Sequence, residues 1–355
     1  MADPSNDIIE VRADESFDLD SVRDYLHDKL EGADRPLEVR QFGGGHANLT
    51  YLLSYGTGSD TQEYVLRRPP LGPVAKGSHD MHREYRALSV LWQEFPLAPR
   101  AYLYCDDNAV IGAEFLVMDR RDGVVVRAEV PERFGGGNDP VANRKLSEMV
   151  IDTLADFHAV DPSKIGLDSL GKPDGFLKRQ VEGWTGRYER ARTNEDSEPL
   201  EVAEWLAANL GESPAPTLLH NDWKLDNMAV AADDPGRCVA VFDWDMCTVG
   251  DPLCDLGTVL CSWRAPGEDR AGYAGAMPQG DGFLTDAEGV ARYCERLGID
   301  PASVPYYQVF GMFKMAVVIQ QIYFRYHNGQ TQDQRFAPME GLARALFARA
   351  AARRP

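Results

Sequence analysis

Apolar positions recur at two different periods along the chain, and the change from one to the other divides it. Between Phe17 and Leu30 the residues Leu19, Val22, Tyr25, Leu26 and Leu30 fall at helical spacing, and Gly32 supplies a stop, so a short helix opens the fold. Then LEVRQF (37–42), the break Gly43-Gly44-Gly45, LTYLLSY (49–55), the turn GTGSD and EYVLRR (63–68) predict three strands joined as a meander. Met81, Tyr85, Leu88, Leu91 and Trp92 mark an amphipathic helix over 81–95, with Ser78 as its N-cap. AYLYC (101–105), a turn at Asp106-Asp107-Asn108 and AVIGAEFLVM (109–118) return to strand.

After Met118 the period lengthens. Helices are expected over 141–158, 199–210, 287–297, 304–327 and 336–352, and the main strand signal is a pair around Asp233-Asp234-Pro235-Gly236. A strand-rich first third before a helix-rich remainder predicts an α+β, bilobal chain: an N-lobe over 1–118 with a β-sheet plus helix, and a helical C-lobe over 119–355, with a cleft at the crossover near MDRRDG. No repeat period interrupts this division.

Composition narrows the partners. The 355 residues carry 37 basic and 56 acidic side chains, a formal charge of -19, which argues against bulk binding of nucleic acid or of an anionic membrane. Only 8 of the basic residues are lysine and 29 are arginine. Adaptation to a high-salt cytosol and GC-rich codon usage both produce that bias; equal melting temperatures at low and molar salt would rule out the first. Cys105, Cys238, Cys247, Cys254, Cys261 and Cys294 form no C-x-x-C pair, so they read as buried thiols of a reducing cytosol rather than zinc ligands or a disulfide frame. MADPSNDIIE is acidic where a signal peptide is basic then apolar, and MAVVIQQIYF runs only ten residues before Arg325, so a cytoplasmic location without a membrane partner is expected.

The chemistry concentrates in LLHNDWKLDNMAV and the following CVAVFDWD. Met228–Ala231 and Arg237–Phe242 flank a tight turn and should pair as a hairpin, which places Asn227 just before its first strand and Asp243 just after its second. Paired strands lie about 4.8 Å apart, close enough for both oxygen ligands to hold one hard cation. Asp222, five residues upstream, would reach a substrate hydroxyl beside that metal. A carboxylate base, an amide ligand, a carboxylate ligand and a lysine together describe phosphoryl transfer, in which catalysis is mostly positioning and neutralisation of phosphate charge. Asp245, two residues after Asp243, could share metals with it or stand solvated. In the N-terminal third, Gly43-Gly44-Gly45-His46-Ala47-Asn48 can bring backbone N–H groups onto phosphates, because glycine lacks the Cβ that would block approach. Two strands on, Arg67 would face the phosphates and Glu84 on the next helix would pair with it; alternation along Tyr64, Leu66 and Arg68 puts Arg67 on the other face, with Val65.

His220-x-Asp222-x-Lys224-x-x-Asn227 matches the catalytic loop of eukaryotic-like kinases, and Asp243 stands where their metal-binding aspartate stands. The chain resembles the aminoglycoside phosphotransferase and choline kinase superfamily, protein-kinase-like enzymes that phosphorylate small molecules. Within it the chain looks most like the branch also found fused to acyl-CoA dehydrogenases, through GGGHANLTYLL, YVLRRPP, HREYRALSVL, FLVMDRRDG, LLHNDWKLDNM, FDWDMCTVGDPLCDLG and QQIYFRYHNGQT, over about residues 17–340. The resemblance implies a protein-kinase-like fold, ATP and Mg2+ as cofactors, Asp222 as catalytic base, Asn227 and Asp243 as magnesium ligands, Lys224 near the γ-phosphate, and Met118 at the adenine hinge. It also implies that Asp255 braces the catalytic loop through backbone N–H groups, with His220 a packed residue of that loop. The phosphate contacts fall on Gly44, Gly45, Asn48 and Arg67. Many members have lysine where Arg67 stands, and the Gly-rich loop has Gly-His-Ala where a small hydroxyl residue is expected.

Tyr323, Arg325 and His327 lie on the late helix that borders the acceptor pocket in this fold and are the acceptor candidates. The branch favours a hydroxyacyl thioester of coenzyme A as acceptor, against an aminoglycoside or other amino-sugar, or a choline-type alcohol. A nucleotide-binding pseudokinase is the reading of another class, and the intact Asp222, Asn227 and Asp243 set argues against it. Only five residues separate Asp245 from Asp251, too few for the long activation segment of a protein kinase.

Overall fold

The computed structural model describes residues 8–43, 48–72, 79–263, 277–278 and 280–354. They form two compact bodies, one built from residues 1–125 with 227–247 and one from 126–226 with 248–355. The sequence places its boundary at 118/119; the break in the structure comes seven residues later, and the hairpin bearing Asn227 and Asp243 belongs to the first body.

In the first body a six-stranded antiparallel sheet is made of β1 (Ile8–Ile9), β2 (Leu37–Phe42), β3 (Leu49–Tyr55), β4 (Gln62–Arg68), β5 (Ala101–Cys105) and β6 (Phe115–Asp119), in the order β1-β2-β3-β4-β6-β5. Helices α1 (Leu19–Leu26), α2 (Met81–Leu88) and the single turn α3 (Asn108–Ile111) accompany it, and β7 (Val124–Val125) closes the segment. Alternation decides the two faces. Leu49, Tyr51, Leu53 and Tyr55 of β3, Tyr64 and Leu66 of β4, and Phe115 and Val117 of β6 bury one apolar cluster with Val22 and Leu26 of α1. Val65 and Arg67 therefore point to the opposite face, where Val65 sits across from Met118. The even-numbered Arg68 follows the cluster side and donates to the Ile111 carbonyl at 3.0 Å.

Three expectations are corrected here. Helix α2 ends at Leu88, followed by a 3-10 turn at Leu91–Gln93, and its cap is Asp80, whose carboxylate accepts from the Arg83 N–H at 2.9 Å; Ser78 lies outside the described residues. Residues 109–114 are not strand, because Asp107 accepts from the Ala109 N–H at 2.8 Å and starts a helical turn that Gly112 ends at φ +78°. An N-terminal strand, β1, also pairs with β2.

The second body is helical: α4 (Pro140–His158), α5 (Phe176–Ala191) and α6 (Glu198–Ala208) precede the short strand β8 (Thr217–Leu219). The chain then returns to the first body as the hairpin β9 (Met228–Ala231) and β10 (Asp234–Val241), with β7 on the other side of β9. It re-enters the second body with β11 (Thr248–Gly250), antiparallel to β8, and continues through α7 (Leu253–Ser262), α8 (Asp286–Leu297), α9 (Val304–His327) and α10 (Met339–Ala352). The expected late helices all appear. Two were not expected: α5, whose Gly183 and Gly186 weaken its helical signal, and α7, which is buried all round and so has no amphipathic period. The backbones of α7 and α9 touch at glycines: a Cβ on Gly257 would lie 2.0 Å from the Tyr307 carbonyl oxygen, and one on Gly311 2.1 Å from that of Gly257. Among the described residues no helix is long and apolar enough to cross a membrane.

Candidate active site

Each body carries one group of candidate residues. In the first body they surround Arg67, which alternation along β4 sends away from the apolar cluster. Its Nε lies 3.0 Å from Glu84 Oε2 of α2, too poorly aligned for a hydrogen bond, and its Nη2 pairs with Asp243 Oδ1. Arg67 and Glu84 are both buried. Burial opposes the arginine's charge, but Asp243, Glu84 and Asp245 outweigh it and raise its pKa above the ordinary value. Burial pushes the Glu84 carboxyl up to about 7, and the charges of Asp243 and Asp245 push the same way against Arg67.

The hairpin sets where the two aspartates stand. Val241 pairs with Met228, and the Phe242 N–H donates to the Asn227 carbonyl at 2.8 Å, so Asp243 begins one residue past the ladder. It takes a left-handed conformation, φ +70°, which aspartate tolerates better than most residues. Trp244 anchors the segment: fully buried, it packs edge-on to Phe95, gives its indole N–H to Val241 at 2.7 Å, and its backbone N–H lies 3.3 Å from Glu84 Oε1. Asp243 and Asp245 flank this anchor. Asp245 Oδ2 accepts from Asn48 Nδ2 at 3.2 Å, and Asn48 Oδ1 lies 2.8 Å from His79 Nδ1. Burial and the neighbouring Asp243 raise the Asp245 pKa. His79, at φ +58°, carries no signal in the sequence.

Three carboxylates around one guanidinium leave this cluster with excess negative charge, and its donors are hard oxygens. That composition fits a divalent cation such as magnesium, which takes one or two carboxylates from the protein and the rest of its shell from phosphates and water. Among the described residues no group of three or more His, Cys, Asp or Glu side chains is arranged to hold a metal by itself. Met118, buried on β6, shares the sheet face of Arg67. Gly44, Gly45 and His46 lie outside the described residues.

In the second body the loop after β8 carries His220, Asn221, Asp222 and Lys224. Asp255, on the first turn of α7 and almost fully buried, accepts from the His220 N–H at 2.7 Å and the Asn221 N–H at 2.9 Å. Its Oδ2 also lies 3.4 Å from His158 Nε2, and His158 Nδ1 is 2.5 Å from the Tyr293 hydroxyl, so this buried histidine ties α4 and α8 to the carboxylate. Burial alone would raise the Asp255 pKa; the hydrogen bond and charge of His158, with Lys314 and His220, win and lower it. Asn221 is left-handed at φ +68°. His220 is fully buried, its ring edge-on to Trp223, and its Nδ1 lies 3.3 Å from the Asp222 N–H. Trp223 stacks on Phe157, while Asp222 on one side of it pairs with Lys224 on the other, Nζ to Oδ2, at 2.8 Å.

Lys314 of α9, which sequence reasoning passed over, reaches this loop: its buried Nζ donates to the Asn221 carbonyl at 3.1 Å. The signal was available, since a lysine interrupts the apolar run VFGMFKMAVV. Tyr323, Arg325 and His327 sit nine to thirteen residues further along α9, two to four turns away. Tyr323 is hydrogen-bonded to Glu340 of α10 and lies against the His327 ring, while Arg325 and His327 are exposed. The described contacts do not bring these three to the Asp222 loop.

The model of the phosphotransferase enzyme family matches residues 38–293. Acyl-CoA dehydrogenase family member 11 of Rattus norvegicus is 31% identical over 346 residues, which cover 94% of this chain and 42% of that protein. The chain thus spans less than half the length of the curated relatives it first matches. Among solved structures, a Ralstonia eutropha protein ascribed to the aminoglycoside phosphotransferases is 27% identical, with a TM-score of 0.80 over 95% of this chain and 98% of that one. Choline kinase from Cryptosporidium parvum shares the fold at a TM-score of 0.65 and 12% identity, covering 95% of each chain.

Proposed function

Because the chain belongs to the phosphotransferase enzyme family, as a small-molecule phosphotransferase, we propose that it transfers the γ-phosphoryl group of ATP, with magnesium, to a hydroxyl of a hydroxyacyl thioester of coenzyme A. The observations that carry the transfer chemistry are the doubly braced Asp222 loop of one body and the buried Arg67–Glu84–Asp243–Asp245 cluster of the other. The acceptor class is supported by the relationship over 94% of the chain to an acyl-CoA dehydrogenase family member.

In this reading Asp222 orients the acceptor hydroxyl and takes its proton as the oxygen attacks phosphorus, and Lys224 offsets charge at the transferred phosphoryl. Asn227, Asp243 and Asp245 would hold magnesium, which when bound neutralises the β- and γ-phosphates. Asn48, through its bond to Asp245, fixes that carboxylate for its ligand role. Arg67 presents a guanidinium to the phosphates, oriented by Glu84, and its fork suits phosphate oxygens. Gly44 and Gly45 supply backbone N–H groups to the phosphates, and Met118 lies against the adenine. Tyr323, Arg325 and His327 stay the candidates for the outer part of the acceptor site.

Replacing Asp222 or Asp243 by alanine tests the mechanism. Each is expected to lower turnover by about 10²- to 10⁴-fold, and near-normal rates in either variant would remove it. Mass spectrometry of products from ATP with a pool of hydroxyacyl-CoA thioesters and aminoglycosides tests the acceptor. Phosphorylation of the aminoglycosides alone would replace the thioester by an amino-sugar, and tight ATP binding without transfer to any acceptor would favour a pseudokinase.

A further inference from the structure

The residue before Asp222 is held at both ends. Asn221 gives its N–H to Asp255 Oδ1 of α7 at 2.9 Å, and its carbonyl receives Lys314 Nζ of α9 at 3.1 Å. Its left-handed φ of +68° is one that asparagine adopts more readily than most residues, and the two bonds hold the peptide on either side of it. The Asn221–Asp222 peptide links the two clamps to the carboxylate that the proposed reaction uses, so rotation of that peptide would swing Asp222 away from its aim.

We propose that Lys314 is a positioning residue for phosphoryl transfer, fixing the Asn221 carbonyl and through it the direction of Asp222. The inference rests on the reading of Asp222 as the base. Four observations support it. Lys314 is buried in the middle of an apolar helix, where a methionine would fill the space without desolvating a charge, so the ammonium must be retained for what it bonds. The chain has only eight lysines, and two of them, Lys224 and Lys314, bond to this loop. Burial lowers the Lys314 pKa, and the charges of Asp255 and Asp222 oppose that shift and favour the ammonium.

The fourth is the register of the two helices. Gly311 stands one turn before Lys314 and touches the Gly257 carbonyl; Gly257 stands two residues after Asp255 and touches that of Tyr307. Each glycine lets the opposite backbone approach to a distance no side chain would permit. The spacing between the N–H clamp on α7 and the carbonyl clamp on α9 is thus set by backbone contact rather than by adaptable side chains.

The test compares Lys314→Met, Lys314→Gln and Asp222→Asn in the full chain, using ADP formation from magnesium-ATP with water as acceptor and then with hydroxybutyryl-CoA, kanamycin and choline. Rates are taken per folded molecule, with thermal melts in parallel. For Lys314→Met we expect kcat to fall about 10- to 100-fold at unchanged KM for ATP, since a misaimed group costs rate rather than nucleotide binding. In Lys314→Gln the amide reaches less far toward the carbonyl, and a three- to tenfold loss of kcat is expected, a partial rescue that separates the hydrogen bond from the charge. A merely structural lysine would lower the melting temperature and leave kcat alone. Wild-type kcat in either variant overturns the proposal, and the glutamine variant decides it if the methionine variant does not fold. Asp222→Asn separates the two readings: wild-type rates there sink the base itself, whereas an inactive Asp222→Asn beside a fully active Lys314→Met sinks only the clamp.

Discussion

Asp255→Asn removes a charge while keeping the shape of the side chain, and the structure sets its cost. The carboxylate uses one oxygen for the His220 N–H at 2.7 Å and the other for the Asn221 N–H at 2.9 Å. The variant's amide has one acceptor oxygen, so one of the two backbone donors faces an NH2 group in a buried site. A hydrogen bond to a charged group contributes about 1.5–3 kcal/mol, and a buried donor left without a partner costs about 1–3 kcal/mol, so a net loss of roughly 2–4 kcal/mol is expected. For a body of this size that is a fall of roughly 5–15 °C in Tm. The loop should lose its aim as well, with kcat down about 10- to 100-fold.

The pH dependence gives this prediction its sign. The Asp255 pKa is lower in the folded protein than in the unfolded chain, where it lies near the ordinary value of 3.8. Its contribution is therefore fully present above the unfolded pKa and is lost as pH falls through the folded one. Thermal melts of the wild type and Asp255→Asn at pH 7 and near pH 3 should show the largest gap at pH 7 and a smaller one in acid. Melting temperatures equal to within roughly 1 °C at pH 7, or a gap that widens on acidification, would refute the reasoning.

Three further variants probe other links. In Gly311→Ala the new methyl would meet the Gly257 carbonyl oxygen at 2.1 Å and the Thr258 nitrogen at 2.8 Å, both backbone atoms, so the helices must part at a cost of about 1–3 kcal/mol or more; Gly183→Ala on α5, with nothing within 4 Å, should instead stabilise by about 0.5–1 kcal/mol, and denaturant unfolding of the two distinguishes them. Glu288→Gln tests the capping box at the start of α8, where hydrogen bonds from the Thr285 backbone, Arg144 and the Thr285 hydroxyl hold the carboxyl at about 2. The side chain is 44% exposed, so solvent screening limits the loss to less than about 1 kcal/mol. That loss should be complete above about pH 4.5 and vanish as pH falls toward 2, read as the difference in Tm between the two proteins across that range.

Much of this site is local, and local features are legible in a sequence. Period-two alternation along EYVLRR is enough to separate Arg67 from Arg68, because neighbouring strand residues must face opposite ways, and the structure sends one to Glu84 and Asp243 and the other to the Ile111 carbonyl. A turn flanked by two apolar runs is enough to predict the hairpin from Met228 to Val241, because its hydrogen bonds close over a few residues. Only tertiary structure decides the rest. Helix α7 has no polar face to give it a period, since every side of it is covered by protein. The turn at Asn108–Ile111 takes the place of a strand because one aspartate cap and one left-handed glycine outweigh the β-propensity of its apolar residues. Which polar groups brace the Asp222 loop depends on how deep α9 packs on α7, and that depth is fixed where Gly257 and Gly311 meet, 54 residues apart in the chain. A pattern of apolar and polar positions records which side of an element is buried, but not which atom of a distant element will lie against it.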